Sequence, residues 1–188
     1  MGENNLIYQM KISLALKQRK IFLNDYVTED SIFECIYYLH RLMDLDNKTG
    51  EKEPIEIYVN SNGGLLTECM GLISLIEQMK DDGYCIITIN SSKAYSAGFF
   101  ISLVGSIRKS YRRAEYMYHS LSAGTIDTLQ NMIEDVEHFK KSQAELHSLV
   151  KKYSNIPIDE LAELDRCKID KFYTPEEMLK YNAIDIIL

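Results

Sequence analysis

Residues 84–100 read YCIITINSSKAYSAGFF, and this stretch decides the fold. The apolar run over 84–90 predicts a buried strand, and the nearly all-apolar segment that begins at Ala97 predicts a buried helix. A polar break that carries Ser91, Ser92 and Ser96 separates the two. A strand that enters a helix through a short polar turn is typical of α/β proteins.

The same unit recurs along the chain. The segment PIEIYVN (54–60) alternates apolar and polar residues as a strand does, SNGG breaks it, and residues 65–80 continue with the period of a helix. Further strands are predicted at 19–25, 114–120 and 183–188, and further helices from Thr28, over 126–153, after Pro157 and over 174–181. Consecutive strands joined through helices imply parallel pairing and right-handed crossovers, so the sequence predicts one α/β domain.

Two of these helices begin with capping signals. Thr28 can cap the first helix, and the acidic residues that follow it lie where the helix dipole favours negative charge. Thr174 is followed by Pro175 and Glu177, which together predict a capping box with proline in the first turn.

The composition argues against several classes of function. The 188 residues carry a formal net charge of -7, and 46% of them are hydrophobic, which suits one compact domain. An acidic chain argues against nucleic acid as the main partner, because phosphate binding needs a clustered basic face. The nearest thing to such a patch, Arg108, Lys109, Arg112 and Arg113, is interpreted as a solvated loop.

The cysteines and the lengths of the apolar runs indicate which cellular compartment to expect for the protein. None of the four cysteines belongs to a C-x-x-C pair, so neither disulfides nor a zinc site is expected. No apolar run reaches the roughly 18 to 20 residues that span a bilayer, and the first ten residues lack the layout of a signal peptide. We therefore expect a soluble, cytoplasmic protein without metal or cofactor.

The two polar turns that follow strands are the candidate sites, because active sites of parallel sheets gather at the carboxyl ends of strands. In the second turn Ser96 lies among small residues, Ala94, Ala97 and Gly98, which let a substrate approach. The pattern is similar to a nucleophile elbow, although alanine replaces the first glycine of G-x-S-x-G. The residues alone leave open that all three serines of the stretch only cap the helix.

A serine nucleophile needs a base, and the chain has four histidines. His119 ends the apolar strand YMYH, where a strand-end base would lie, although such a histidine is more often structural. His138 and His147 lie among charged and polar residues of the long helix, which predicts a solvated face, and His40 belongs to an early amphipathic helix.

The first turn contributes the paired glycines Gly63 and Gly64. Glycines at this place allow positive φ and present bare amides, as an oxyanion hole requires, and an ordinary strand-to-helix turn needs them equally. The 28 acidic residues cannot be sorted by spacing, so the residues alone identify no third group for a triad.

The order of these elements resembles the proteolytic subunit of the Clp protease from about residue 20 to the C-terminus. The motifs that carry the resemblance are NSNGG at 60–64, AYSAG at 94–98, MYHSL at 117–121 and IDKFYT at 169–174. That family has the crotonase-like α/β fold, a spiral of strand-turn-helix units, so the resemblance implies this fold for residues 20–188. The divergent segment 1–19 is expected to shape an axial entrance.

The resemblance also implies the chemistry of a serine endopeptidase. Ser96 would be the nucleophile, His119 the general base, and Asp170 the carboxylate that orients the imidazole. The backbone N–H groups of Gly64 and Ala97 would hold the oxyanion.

The stretch before Asp170 is longer than is usual in the family, so Asp165 is the alternative to it. Lys168 and Ile169 replace the acidic–Arg pair at which rings of the family meet, so the number and stacking of rings stay open.

The partners that the resemblance implies are unfolded polypeptide substrates, further copies of the chain in a ring, and an AAA+ unfoldase ATPase. The ATPase would be a separate protein, because the chain has no P-loop. One alternative is a catalytically silent ring subunit with a structural or regulatory role. A second is acyl-CoA chemistry of the crotonase type with a glutamate base, which the pairing of serine and histidine disfavours.

Overall fold

The computed structural model describes residues 10, 12–124, 126 and 128–188. Its strands are β1 (Lys20–Leu23), β2 (Ile55–Ser61), β3 (Ile86–Tyr95), β4 (Ile107–Ser110), β5 (Glu115–Tyr118), β6 (Lys171–Tyr173) and β7 (Ile186–Ile187). Its helices are α1 (Glu29–Thr49), α2 (Leu66–Asp81), α3 (Ala97–Leu103), α4 (Leu129–Tyr153), α5 (Ile158–Cys167) and α6 (Pro175–Lys180). Residues 12–18 are also helical.

Parallel pairing dominates the sheet, as the alternation of strands and helices predicts. Five strands lie in the order β1-β2-β3-β4-β7, and each neighbouring pair is parallel. The first part of β3 pairs with β4 and its last three residues pair with β5. β6 then joins β5 as an antiparallel neighbour. The predicted α/β architecture is confirmed.

The core lies between the sheet and its helices. β2 alternates buried and half-buried residues, with Ile55, Ile57 and Val59 fully inside. All seven residues of α3 are buried, as its apolar composition predicts. This short helix starts directly after Ser96, so the candidate nucleophile is attached to the most enclosed element of the domain.

Both capping predictions are confirmed. The hydroxyl of Thr28 accepts a hydrogen bond from the backbone N–H of Ser31 at the start of α1. The hydroxyl of Thr174 accepts from the N–H of Glu177, whose carboxylate accepts from the N–H of Thr174, with Pro175 in the first turn of α6. These local signals fix where the two helices begin.

The strand β3 extends further than the sequence predicts. It continues through Ser91 and Ser92 to Tyr95, a stretch that was interpreted as a polar turn. The reason is tertiary, because Lys93–Tyr95 find ladder partners on β5 and Ala94 also pairs with Ser61 on β2. The turn therefore shortens to the single residue Ser96.

The basic segment 107–110 is a strand, and its interpretation as a solvated loop was wrong for Arg108. This side chain is buried, and its guanidinium binds both carboxylate oxygens of Asp185, at 3.0 and 2.7 Å. The arginine holds the pKa of Asp185 below its ordinary value, through these hydrogen bonds against a smaller opposing effect of burial. The pair joins β4 to the segment that precedes β7.

Helix α4 projects most of its length away from the core. Its buried residues, Leu146, Leu149 and Val150, all lie near its C-terminal end. Four apolar residues of its first half are exposed, namely Leu129, Met132, Ile133 and Val136.

Within the part of the chain that the structure describes, no helix combines the length and apolar character that crossing a membrane requires. Residues 1–9 and 11 of the predicted N-terminal segment 1–19 lie outside the described residues, so the division at residue 20 stays a prediction.

Candidate active site

The two polar turns open into one cleft of about 270 Å³. Gly63, Gly64, Ser96, Ala97 and His119 all line it. The remaining lining residues are Tyr26, Asn62, Leu66, Phe100, Ser120, Leu121, Ser122 and Leu146. Four of the five residues predicted for catalysis and oxyanion binding therefore lie together, and Asp170 is the one outside this lining.

Ser96 occupies a strained turn between β3 and α3. Its backbone has φ 53° and ψ −119°, a conformation that side chains with a Cβ rarely adopt. Such a conformation costs on the order of 1–3 kcal/mol and persists only where the surroundings impose it. One restraint is the hydrogen bond from its N–H to the carbonyl of Met117 on β5, at 2.9 Å. This bond ties the serine to the strand that ends at His119.

Gly63 is the residue against which this turn packs. Its φ is 90°, and a Cβ at this position would lie 2.8 Å from the carbonyl oxygen of Tyr95 and 3.0 Å from the amide nitrogen of Ala97. Its N–H donates to the hydroxyl of Ser61, at 3.1 Å. Only glycine allows the two turns to meet at this distance.

The backbone amides of Gly64 and Ala97 are the candidates for an oxyanion hole. Gly63 and Leu65 make the parallel bridge to Val27, which leaves the N–H of Gly64 directed to the other side of the chain. The N–H of Ala97 lies in the first turn of α3, where no helical acceptor exists for it. Both residues line the cleft, as expected for an oxyanion hole.

His119 follows the end of β5 and lines the same cleft. Its Nδ1 lies 2.6 Å from the carbonyl oxygen of Ser120. A carbonyl oxygen can only accept, so the proton of the neutral ring resides on Nδ1 and Nε2 keeps a free lone pair. This is the tautomer that a general base requires. Within the described residues no hydrogen bond joins the ring to Ser96 or to Asp170.

Asp170 lies exposed immediately before β6. The antiparallel register pairs Tyr118 with Lys171, so the next pair of this register would be His119 and Asp170. Directly opposite residues of antiparallel strands have Cβ atoms about 4.5–5.5 Å apart. If the register continued by one residue, the side chains of His119 and Asp170 would lie opposite each other.

Asp165, the alternative third group, lies elsewhere. One of its carboxylate oxygens accepts from the hydroxyl of Tyr118 at 2.8 Å, and the other lies 2.8 Å from Nε2 of His147. Its side chain is largely enclosed by α4, α5 and β5. No hydrogen bond to His119 is present among the described residues.

The interpretation of His147 as part of a solvated face was wrong. The side chain is 19% exposed and forms an ion-pair contact with Asp165. Gln143, one turn earlier, is half-buried and accepts from the N–H of Leu121 at 2.7 Å. The spacing of residues along α4 could have indicated this burial. Gln143 and His147 lie on the same helical face as the buried residues Leu146 and Val150.

The other chemical groups near the site do not compete with Ser96. Burial raises the pKa of the Cys69 thiol, which lies beneath the turn and donates to the carbonyl of Ala97, to about 12. This thiol is therefore not a nucleophile at neutral pH. Over the described ranges, no three metal-binding side chains are grouped closely enough to hold an ion.

A family model described as Clp protease matches residues 3–188. The chain belongs to the Clp protease family. Two similar Clp proteins are "ATP-dependent Clp protease proteolytic subunit 2" of Nocardia farcinica (strain IFM 10152) and "ATP-dependent Clp protease proteolytic subunit 1" of Corynebacterium jeikeium (strain K411).

The first of these is 28% identical over 177 residues, which cover 92% of this chain and 82% of the relative. The second is 26% identical over 177 residues, which cover 92% of this chain and 88% of the relative. The Clp protease family classifies the chain as a peptidase, a hydrolase, and the parallel sheet with its helices agrees with the crotonase-like fold of that family. The predicted family and fold class are confirmed.

Proposed function

We propose that the chain is a serine endopeptidase in which Ser96 is the nucleophile and His119 the general base. The observation that carries the proposal is the single cleft that both side chains share with the amides of Gly64 and Ala97. A serine as nucleophile, a histidine in the base tautomer and two N–H groups that have no hydrogen-bond partner among the described residues are the parts that acyl transfer needs.

The chemistry follows from these positions. The Oγ of Ser96 attacks the carbonyl carbon of a peptide bond while Nε2 of His119 takes the hydroxyl proton. The N–H groups of Gly64 and Ala97 donate to the oxyanion of the tetrahedral intermediate. The protonated ring then gives its proton to the leaving amine, and water, activated by the same nitrogen, hydrolyses the acyl-enzyme.

Asp170 is the proposed carboxylate of the triad. One residue beyond the observed β5–β6 register it would lie opposite His119, which supports it over Asp165, whose oxygens are bonded to Tyr118 and His147. Its negative charge would stabilise the imidazolium that forms when the serine is deprotonated.

We also propose that the chain works as a ring of identical subunits on unfolded polypeptides that a partner ATPase delivers. The exposed apolar residues on the first half of α4, together with exposed Ile169 beside Asp170, are surfaces that an assembly would cover. The names of the two relatives contain "ATP-dependent", and this chain has no P-loop, so a separate protein would hydrolyse ATP. Cytoplasmic location is part of the same proposal.

The deciding experiment is active-site labelling with a fluorophosphonate probe, together with hydrolysis of a short fluorogenic peptide. We expect the wild-type protein to be labelled, and Ser96→Ala to lose both labelling and peptide hydrolysis. Ser92→Ala is the matched control, because this exposed serine belongs to the same stretch and does not line the cleft.

The native mass of the assembly is measured on the same samples. A ring of expected mass that neither binds the probe nor hydrolyses peptide would overturn the peptidase proposal. That outcome would favour the alternative of a catalytically silent ring subunit, particularly if an active paralogue co-purifies with it.

A further inference from the structure

A polar network lies behind the cleft, between α4, α5 and β5. The side-chain oxygen of Gln143 accepts from the N–H of Leu121 at 2.7 Å, and its amide nitrogen donates to the hydroxyl of Tyr118 at 3.1 Å. That hydroxyl donates to Asp165 at 2.8 Å. Tyr118 is fully buried, and its neighbours in the network are half-buried.

The network reaches His119 through one peptide group. The peptide between Ser120 and Leu121 offers its carbonyl to Nδ1 of His119 and its N–H to Gln143. Because a peptide group is planar, fixing the direction of its N–H also fixes the direction of its carbonyl. Gln143 therefore determines where the acceptor for the imidazole lies.

All donors in this chain of hydrogen bonds point the same way. The chain passes in order through His119, the Ser120–Leu121 peptide, Gln143, Tyr118 and Asp165. Burial and, after it, the hydrogen bond to Asp165 raise the pKa of Tyr118, so its hydroxyl stays protonated and keeps donating. Head-to-tail hydrogen bonds polarise one another, and here the polarisation starts from a carboxylate.

We propose that Gln143, Tyr118 and Asp165 are positioning residues that hold His119 in the tautomer and orientation of a general base. The proposal rests on the proposed function, since it concerns the base of that reaction. Asp165 acts on the imidazole through three intervening groups, and its polarisation makes the carbonyl of Ser120 a stronger acceptor. A stronger acceptor at Nδ1 favours the ring when it becomes positively charged.

His147 anchors the far end of the network. An ionised carboxylate can only accept, so Nε2 of His147 carries the proton between the ring and Asp165. The 3.3 Å contact between this nitrogen and the amide nitrogen of Gln143 is then a packing contact, because both atoms carry hydrogens. The same N–H also lies 3.0 Å from the hydroxyl oxygen of Tyr118, which can only accept from it, so Tyr118 directs its own hydrogen to Asp165.

The test compares variants that break the chain of hydrogen bonds at different points, in the full assembled protein with a short fluorogenic peptide. Tyr118→Phe removes only the hydroxyl, and we expect kcat to fall about 10-fold with KM unchanged. Gln143→Leu removes the acceptor for the N–H of Leu121, so the Ser120–Leu121 peptide group is no longer held in place. We expect kcat to fall about 10- to 100-fold. Gln143→Glu keeps the acceptor for Leu121 and loses the donor to Tyr118, so we expect its kcat to lie between wild type and Gln143→Leu.

Matched controls separate positioning from general damage. Tyr116→Phe removes a hydroxyl that is equally buried on the same strand and lies outside the network, and Gln78→Leu changes an exposed glutamine bonded within its own helix. We expect wild-type kcat from both. If the network were merely structural, its variants would yield less assembled protein, but the assembled fraction would have the kcat of wild type. The two Gln143 variants would then not differ in kcat.

The proposal is overturned if Tyr118→Phe, Gln143→Leu and Gln143→Glu assemble and retain wild-type kcat. It is also overturned if Gln143→Glu, the near-isosteric change, is as impaired as Gln143→Leu. Wild type and Ser96→Ala are measured in parallel. If wild type itself shows no Ser96-dependent hydrolysis, the proposed function fails and this inference fails with it, whereas an active wild type with unaffected variants contradicts this inference alone.

Discussion

Gly63 and Ser96 lie so close together that a Cβ on Gly63 would be 2.5 Å from the Cβ of Ser96. The glycine turn and the serine turn are therefore one packed unit, although more than thirty residues of chain separate them. The position of the nucleophile depends on the absence of a side chain at residue 63.

Gly63→Ala is expected to disable the site while the domain still folds. The added methyl group would overlap the carbonyl oxygen of Tyr95 and the Cβ of Ser96, and φ of 90° disfavours alanine. Displacing the nucleophile by about 1 Å costs on the order of 100-fold in rate. We expect fluorophosphonate labelling to slow at least to that extent, and unchanged labelling would show that the turns need not be in contact.

Gly71→Ala is the corresponding change where space is free. Gly71 lies inside α2, and a Cβ there would meet no atom within 4 Å. Alanine in a helix interior is more favourable than glycine by about 0.5–1 kcal/mol. We expect the free energy of unfolding to rise by about that amount, measured by urea denaturation, with labelling of Ser96 unchanged. A loss of stability would mean that α2 needs a glycine at this position.

Asp170→Asn is expected to lower kcat by about 10- to 100-fold. In serine proteases where such an exchange changes the tautomer of the histidine, the loss is about 10⁴-fold. Here the carbonyl of Ser120 already accepts the Nδ1 proton of His119. The exchange therefore removes the negative charge that stabilises the imidazolium, and the tautomer of His119 stays unchanged. Steady-state hydrolysis of a fluorogenic peptide measures this. A loss near 10⁴-fold would mean that the imidazole binds Asp170 during turnover.

Asp185→Asn is expected to lower stability in a pH-dependent way. Arg108 lowers the pKa of Asp185, so the stabilisation is complete above the ordinary carboxylate pKa and disappears as pH falls through the lowered value. Because the Asp185 side chain is 36% exposed, solvent weakens the pair, and we expect a loss of about 1 kcal/mol in the free energy of unfolding at pH 7. The difference from wild type should shrink below about pH 4.

The control for this measurement is Asp44→Asn. Asp44 forms an exposed contact of 3.9 Å with Arg41 one turn away in α1. Exposed pairs contribute about 0–1 kcal/mol, so this variant should differ little from wild type at any pH. Equal losses of unfolding free energy from Asp44→Asn and Asp185→Asn would show that the Arg108–Asp185 pair stabilises the domain no more than an exposed pair does.

The sequence predicted the parts of the fold that depend on local signals. The caps at Thr28 and Thr174, the strand with Ile55 and Ile57, and the buried helix α3 all follow from residues close together in the chain. The residues alone singled out Ser96 and His119 as candidates, the resemblance assigned their roles, and both side chains line the cleft. Their catalytic roles stay predictions until labelling is measured.

The features that were missed depend on residues distant in the chain. Arg108 was expected to be solvated because its sequence neighbours are charged, and its partner Asp185 lies 77 residues away. Ser91 and Ser92 have the composition of a turn, but pairing of the following residues with β5 keeps the chain extended. His147 faces α5 and β5, which the sequence around it does not reveal.

The continuity of β3 has a consequence for how activity is lost. This strand of ten residues contains the centre of the parallel sheet and ends at the nucleophile. Its residues Ile87–Asn90 pair with β2 on one side and β4 on the other, so we expect their amide hydrogens to exchange with solvent only in the largest opening of the domain. Since Ser96 directly follows this strand, we expect the site to unfold together with the centre of the sheet. On heating, we expect catalytic activity and native structure to disappear in the same cooperative transition.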